Sequence, residues 1–145
     1  MRERQDLIRD FRQKGLKITP QRLLILELLK DNRTHPSAED IHKQLVKTHP
    51  TISLATVYKT LETLTKLGKV KELNLRENRI RYDPDTQAHS HLICEKCNQI
   101  IDLHSDFVRD LRLPKAYRGN FVVTEKHVEF YGICQRCLKK RKKAL

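Results

Sequence analysis

Two cysteine pairs with the same short spacing are the strongest chemical signal in the chain. Two residues separate Cys94 from Cys97 and Cys134 from Cys137, and 36 residues lie between the pairs. Each pair presents two thiolates to one ion, and two pairs complete a tetrahedral sulfur set that suits Zn(II). A thioredoxin-like dithiol would account for one pair but not for both. The spacing therefore predicts a structural zinc site, because four protein thiolates leave no open coordination position.

A second group of side chains offers nitrogen and oxygen ligands. His89 and His91 are two residues apart, so on a strand both imidazoles project from one face. Asp83 and Asp102 flank them in sequence, and His35 lies farther upstream. Two or three imidazoles with two carboxylates suit Fe(II), Mn(II) or Zn(II) and leave room for a small ligand. From spacing alone, loop-capping roles for the two Asp residues and an ordinary loop histidine remain alternatives.

The first half of the chain predicts a small helical bundle. A leading helix ends at a glycine, and three further helices begin at capping residues whose side-chain oxygens accept the first free amides. The third helix is expected to end near Pro50. The signals are Leu7, Ile8 and Phe11 before Gly15 for the leading helix, then Thr19-Pro20, Ser37 with Asp40, and Ser53.

The fourth helix has two contrasting faces. Its apolar face consists of Val57, Leu61, Leu64 and Leu67, and the opposite face carries Thr56, Lys59, Thr60 and Thr63. Small hydroxyl and amine side chains suit a helix that lies against DNA, where they contact phosphates and base edges. From this pattern alone an ordinary solvent-exposed helix is the alternative.

A hairpin follows the four helices. Two short β-type runs, 70–75 and 79–82, flank the polar turn Arg76-Glu77-Asn78. Three helices plus a hairpin predict a winged helix-turn-helix, with Arg76, Arg79 and Arg81 of the wing against the sugar-phosphate backbone. We expect this DNA-binding domain to span residues 1–82, because Pro84 stops the strand and the charge balance changes sign there.

Residues 83–145 predict a small second domain and give the chain an α+β fold class. Short apolar runs alternate with turns, and one helix fits residues 105–113. The apolar runs are Leu92-Ile93, Ile100-Ile101, Phe121–Val123 and Val128–Tyr131. The basic end of the chain, from Arg136 to Lys143, is expected to be a solvated tail that is partly disordered beyond Cys137.

The net charge of +12 is unevenly distributed over the 145 residues. Residues 1–82 carry 18 basic and 10 acidic side chains, 83–135 carry 6 and 8, and 136–145 carry 6 and none. A basic first half favours an anionic polymer as its partner, although general solubility also explains such a charge. The longest apolar stretch is interrupted by Glu27, which excludes a bilayer span, and no secretory signal is apparent, so we expect a cytoplasmic protein.

Six segments closely resemble the ferric uptake regulator (Fur) family, in order, over about residues 7–138. The resemblance implies a homodimeric repressor that binds double-stranded operator DNA through an N-terminal winged helix and dimerises through a C-terminal domain. It implies structural Zn(II) at the four cysteines and regulatory Fe(II) or Mn(II) at His35, Asp83, His89, His91 and Asp102. The segments are Gly15–Arg22, His35–Ile41, Ile52–Leu61, Gly68–Val70, His89–Cys97 and Glu129–Cys134.

Within the family, the peroxide-responsive (PerR) group is the most similar. Its last regulatory ligand is an aspartate, here Asp102, where iron-uptake regulators usually have glutamate. The resemblance implies that Fe(II) reacts with hydrogen peroxide and that His35 or His89 is oxidised, after which the iron is lost. Because each sensing event uses up the protein molecule that is oxidised, we expect that the protein is not an enzyme. A regulator of iron, manganese or zinc uptake that senses metal occupancy alone is the alternative.

The same resemblance implies how metal and DNA are connected. One ion would take ligands from both domains and so stabilise the arrangement that binds DNA. Tyr58 and Lys59 would lie near base edges or phosphates, Lys17 near the minor groove, and Arg22 near phosphate. For Tyr58, packing against the second helix is the alternative.

Two other function classes explain less of the sequence. A basic zinc protein that coats RNA would account for the charge and the cysteines, but not for helices followed by a wing. A zinc hydrolase or deaminase needs an open zinc site beside a glutamate base, and no His-x-Glu precedes either cysteine pair.

Overall fold

The computed structural model describes residues 2–76 and 78–142. Glu77, in the predicted turn of the wing, and Lys143, at the end of the basic tail, lie outside the described residues. The chain divides into two compact units, residues 1–86 and 87–145. Asp83 therefore belongs to the first unit, although the sequence pattern placed it at the start of the second domain.

The first unit contains four helices followed by a two-stranded hairpin. Within the described residues the helices are α1 (Arg2–Gln13), α2 (Pro20–Leu29), α3 (Ala38–Leu45) and α4 (Leu54–Lys66), and the strands are β1 (Lys71–Leu73) and β2 (Arg81–Asp83). The strands are antiparallel, with Lys71 opposite Asp83. This architecture confirms the predicted helices and hairpin, with strands shorter than the apolar runs suggested.

The predicted helix starts are confirmed by their capping contacts. Thr19 Oγ1 accepts a hydrogen bond from the Arg22 amide at 3.3 Å. Ser37 and Asp40 cap each other's amides at 3.2 and 3.0 Å, which is a complete capping box. The prediction that α3 ends near Pro50 is wrong. The helix ends at Leu45, whose carbonyl instead accepts the amides that close the following turn.

The core of the first unit lies between the helices. Phe11, Ile25, Ile41 and Leu61 are each at most 1% exposed, and Tyr82 of the wing packs on the same cluster. Isolated short helices are marginal in water, so this shared burial holds them together.

Thr60 corrects the predicted solvent face of α4. It is 1% exposed, and its hydroxyl donates to the carbonyl of Thr56 at 2.8 Å. Thr60 lies three residues after the fully buried Val57 and one turn before Leu64, so it shares their face of the helix. Its hydroxyl is satisfied one turn back, which allows a polar side chain to occupy that position.

The second unit is built around a three-stranded sheet in the order β4-β3-β5. The central strand β3 (Ser90–Cys94) is antiparallel to β4 (Ile100–Leu103) and parallel to β5 (Glu129–Gly132). Two helices complete the described part of this unit: α5 (Asp106–Asp110) and α6 (Gln135–Lys142), with one 3-10 turn at Lys115–Tyr117.

Three expectations for the second unit are wrong. The helix predicted over 105–113 is shorter, because the backbone leaves the helical region at Leu111, where ψ is 124°. Residues 121–123 lie outside the sheet, with Val122 85% exposed, since an apolar run does not distinguish a paired strand from an apolar surface. The tail is solvated as expected, with Arg136 and residues 138–140 exposed, but the disorder expected beyond Cys137 is wrong, because α6 continues to Lys142.

In the part of the chain that the structure describes, every helix is too short or too polar to cross a lipid bilayer.

Candidate metal centres and DNA-binding helix

The four cysteines converge in the second unit. Cys94 ends β3, Cys97 lies in the turn after it, and Cys134 and Cys137 lie at the start of α6. The four sulfur atoms all lie within 4.8 Å of one another, and Sγ of Cys97 is 3.7 Å from Sγ of Cys134. Sulfur ligands at roughly 2.3 Å from a tetrahedral ion are about 3.8 Å apart. The cluster therefore has the ligand type and spacing of a structural zinc site.

Local donors favour thiolates at two of these cysteines. The amide of Cys134 donates to Sγ of Cys94 at 3.3 Å and lowers the pKa of Cys94 to about 6. The guanidinium of Arg136 donates to Sγ of Cys97 at 3.4 Å and holds the pKa of that thiol below its ordinary value. Thiolates are the form that binds metal, so both contacts prepare the site for zinc.

One pair of nitrogen and oxygen ligands lies in the first unit. Nε2 of His35 is 3.7 Å from Oδ1 of Asp83, and both residues are at most 1% exposed. His35 has a left-handed backbone, with φ of 49°, which is uncommon for a residue other than glycine and is characteristic of functional sites. Ligands of an ion bound at roughly 2.1 Å are about 3–4 Å apart, so the pair fits two positions around one ion.

The hairpin holds this pair in place. Arg81 donates from Nε to the carbonyl of His35 and from Nη2 to the carbonyl of Thr34 at 3.2 Å. The amide of Tyr82 donates to the carbonyl of Pro36 at 3.0 Å. The expectation that Arg81 contacts DNA from the wing is wrong for this structure. Its side chain donates hydrogen bonds to these carbonyls and is only 8% exposed.

A second set of nitrogen and oxygen ligands lies in the second unit. His91 on β3 is opposite Asp102 on β4, and their Nε2 and Oδ1 atoms are 3.9 Å apart. Nε2 of His89, just before the strand, is 3.6 Å from the same oxygen. The two imidazole rings are 4.6 Å apart between centroids. The strand alternation thus brings both histidines and Asp102 together, as three ligands on one side of the sheet.

His104, which the sequence favoured as an ordinary satisfied or exposed histidine over a weak ligand, is a neighbour of this set. Its ring stacks on that of His89, with 5.0 Å between centroids. His104 lies two residues after Asp102, and this alternation is the signal that could have identified it.

The two sets together contain three imidazoles and two carboxylates, which is the donor chemistry of Fe(II), Mn(II) or Zn(II) rather than of a soft, sulfur-preferring ion. Each set has the spacing of adjacent ligands within its own unit. The donors therefore fit the divalent ion expected from the sequence.

The predicted DNA-contacting side chains lie on the first unit. Lys17 and Lys59 are exposed, and Tyr58 is 43% exposed, with its hydroxyl bonded to Glu39 of α3. The Thr56 amide is capped by Ser53 at 3.1 Å, close to the start of α4. Arg22 donates to the carbonyl of Lys17, and its guanidinium carbon lies 5.6 Å from the centre of a phenylalanine ring in α1.

Similarity to known proteins agrees with these features. The sequence model of the ferric uptake regulator family matches residues 13–131. The peroxide-responsive repressor PerR of Staphylococcus aureus is 37% identical over 135 residues, which cover 93% of this chain and 91% of that protein.

Two solved structures illustrate the range of similar folds. The ferric uptake regulator of Vibrio cholerae has a TM-score of 0.71 and 32% identity, covering 86% of this chain and 96% of that one. PerR of Streptococcus pyogenes, described as sensing peroxide and regulating genes, has a TM-score of 0.53 and 32% identity, covering 91% and 90%.

Proposed function

Because this chain belongs to the ferric uptake regulator family, a family of metal-responsive transcriptional regulators, we propose that it is a cytoplasmic repressor that senses hydrogen peroxide. In this proposal the metal-loaded homodimer binds operator DNA, and oxidation of the ligands His35 or His89 releases it. The sensing reaction oxidises the protein's own histidines and does not turn over a substrate, so we propose a regulatory role rather than an enzymatic one.

The observation that carries the proposal is the ligand chemistry around Asp102. A single oxygen of this carboxylate lies 3.6 Å from His89 Nε2 and 3.9 Å from His91 Nε2. An aspartate in the last ligand position is characteristic of the peroxide-responsive group, and a relative that shares 37% identity carries that name.

We propose that one divalent ion takes ligands from both units: His35 and Asp83 from the first, and His89, His91 and Asp102 from the second. Fe(II) held by these ligands would supply the redox chemistry that activates hydrogen peroxide, and in the net reaction one peroxide oxygen would replace the hydrogen of an imidazole C–H bond as the other oxygen leaves as water. Mn(II) would be held by the same ligands without comparable chemistry. The chain holds the imidazoles as ligands with carboxylates beside them, and Arg81 fixes the backbone of His35. An oxidised imidazole is a poorer ligand, so the two units are no longer linked.

The exposed face of the sheet supports a homodimer. Leu92 on β3 is opposite Ile101 on β4 and Phe130 on β5, and these three side chains are 39%, 44% and 44% exposed. A continuous apolar face on a sheet marks an interaction site. In a regulator whose family is dimeric, the partner that fits it is a second copy of this chain, which places two α4 helices on one DNA duplex.

The experiment compares two metals on the same protein. Protein loaded with Mn(II) is used to select duplexes from a randomised DNA library, and binding of the selected duplex is then followed by fluorescence anisotropy. We expect hydrogen peroxide to abolish binding by the Fe(II)-loaded protein and to leave binding by the Mn(II)-loaded protein unchanged. Equal resistance of both forms to peroxide would reject peroxide sensing.

The second candidate is a regulator of metal uptake that senses occupancy alone. It is favoured by the TM-score of 0.71 to the Vibrio cholerae ferric uptake regulator, which exceeds the 0.53 to PerR of Streptococcus pyogenes. This candidate predicts metal-dependent DNA binding that peroxide does not reverse.

A further inference from the structure

A hydrogen bond joins α3 to the exposed face of α4. The hydroxyl of Tyr58 donates to Oε1 of Glu39 at 2.5 Å, and both side chains are exposed. The two residues lie 19 positions apart in sequence, so the fold of the helical bundle brings them together. On a face proposed to bind DNA, an acidic side chain is unexpected, because it repels phosphates.

Glu39 is held in its ionised form. Its hydrogen bond with Tyr58 lowers the pKa of the Glu39 carboxyl below its ordinary value, and the same bond raises the pKa of the Tyr58 hydroxyl. Glu39 also lies in the first turn of α3, where the helix dipole favours a negative charge. An ionised carboxylate only accepts hydrogen bonds, so the Tyr58 proton is committed to Glu39.

We propose that Glu39 is a positioning residue that sets the base preference of Tyr58 by fixing its hydroxyl as a hydrogen-bond acceptor toward DNA. This inference rests on the proposed function, in which α4 lies in the major groove. A hydroxyl that has given its proton to Glu39 can only accept from a base, through its remaining lone pairs.

In the major groove, a Tyr58 hydroxyl that can only accept a hydrogen bond favours bases that donate one. Adenine N6 and cytosine N4 donate hydrogen bonds there, whereas guanine presents only the acceptors N7 and O6. An A·T pair suits Tyr58 best, because adenine N6 donates to the hydroxyl oxygen while the thymine methyl contacts the ring. Guanine at the contacted base faces an oxygen with no proton to offer and is disfavoured.

Two substitutions at Glu39 distinguish the effect of its hydrogen bond to Tyr58 from the effect of its negative charge. In Glu39→Ala the Tyr58 hydroxyl is free to donate, so we expect about a tenfold gain in relative affinity for guanine at one position of each half-site. Glu39→Gln removes the charge but keeps an oxygen that accepts the hydroxyl proton, so it retains the original preference.

Two further variants serve as controls. Glu62→Ala removes an acidic side chain of α4 that pairs with Lys66 at 2.6 Å instead of with Tyr58, so it leaves base preference unchanged. In Tyr58→Phe the hydroxyl is absent, and adding Glu39→Ala to that variant no longer changes base preference.

The experiment is selection from a randomised duplex library by each Mn(II)-loaded full-length variant, followed by affinity measurements on duplexes that differ at single positions. A relaxed guanine discrimination in Glu39→Ala alone supports the inference. If the unmutated protein selects a sequence and Glu39→Ala selects the same one with the same discrimination, the inference is wrong and the proposed function stands. If the unmutated protein enriches no sequence, DNA reading by α4 fails and the inference fails with it.

Discussion

The guanidinium of Arg81 donates to the main-chain carbonyl of His35, a residue 46 positions earlier in the chain. The contact joins strand β2 of the wing to the loop before α3. It holds a left-handed histidine whose imidazole lies beside Asp83, the last residue of the same strand. The wing is thus both part of the unit proposed to bind DNA and the support of one half of the proposed regulatory ligand set.

Arg81→Met should weaken the regulatory metal site without affecting zinc. Partners that orient metal ligands typically contribute 10- to 100-fold to affinity, so we expect Mn(II) affinity to fall by about that factor. Titration with Mn(II), followed by the electron paramagnetic resonance of free ion, measures it. Arg79→Met is the control, because it removes the charge of another wing arginine, which lies 3.9 Å from Asp40. Equal Mn(II) affinity in both variants would contradict the support role.

Arg136→Ala should make the four-cysteine site easier to empty. The guanidinium is a hydrogen-bond donor to Sγ of Cys97 and compensates the charge of a four-thiolate cluster. Its loss raises the pKa of Cys97 toward the ordinary value, so we expect zinc to transfer to a chelator roughly tenfold faster. The rate is followed with a colorimetric zinc indicator. Lys139→Ala, which removes a charge from the same helix, provides the comparison and should release zinc at the rate of the unmutated protein.

His35→Ala should separate the two metal sites. The four cysteines lie in the second unit and His35 in the first, so the variant should keep its zinc and its dimeric state. Without one imidazole the regulatory site loses affinity, and DNA binding should no longer increase on addition of Mn(II). Zinc content by mass spectrometry and anisotropy with and without Mn(II) test both parts. Equal DNA affinity of the unmutated protein with and without Mn(II) would overturn the idea that metal controls binding.

Leu92→Glu should dissociate the dimer. The side chain lies at the centre of the exposed sheet face, between Ile101 and Phe130 in the strand register. A buried, unpaired carboxylate at such an interface is strongly unfavourable. Sedimentation velocity should show a monomer, whereas Ile80→Glu, which alters a 37% exposed apolar residue of the first unit, should leave a dimer. A dimer in both variants would place the interface elsewhere.

Local sequence signals predicted the framework of the molecule well. The cysteine spacing predicted the two pairs of the four-cysteine cluster, and Ser37 with Asp40 predicted the start of α3, because each signal depends on residues close in sequence. The resemblance to a known family predicted His35 to be a ligand, whereas spacing alone left it as an ordinary loop histidine. Its position beside Asp83 is now explained by the hairpin that carries the carboxylate back to it.

The sequence was less informative where tertiary contacts decide the outcome. Arg81 and Tyr58 are both polar residues on predicted surfaces, yet one is buried against backbone carbonyls and the other is bound to a carboxylate of another helix. Neither partner is close in sequence, so no periodicity predicts the contact. The end of α3 was predicted wrongly for a similar reason. The amides of the following turn bond to the Leu45 carbonyl, and the helix ends there, before Pro50 is reached.

The mass of the peptides containing His35 and His89, measured after the Fe(II)-loaded protein has been treated with hydrogen peroxide, tests the central claim most directly. Peroxide sensing predicts that one of these histidines gains the mass of one oxygen atom, while His42 and the Mn(II)-loaded protein stay unmodified. His42 is a matched comparison because its Nε2 lies 3.0 Å from the Ile52 carbonyl and because it belongs to none of the candidate ligand clusters among the described residues. Unmodified His35 and His89 in the Fe(II)-loaded protein would contradict the account and leave a regulator that senses metal alone.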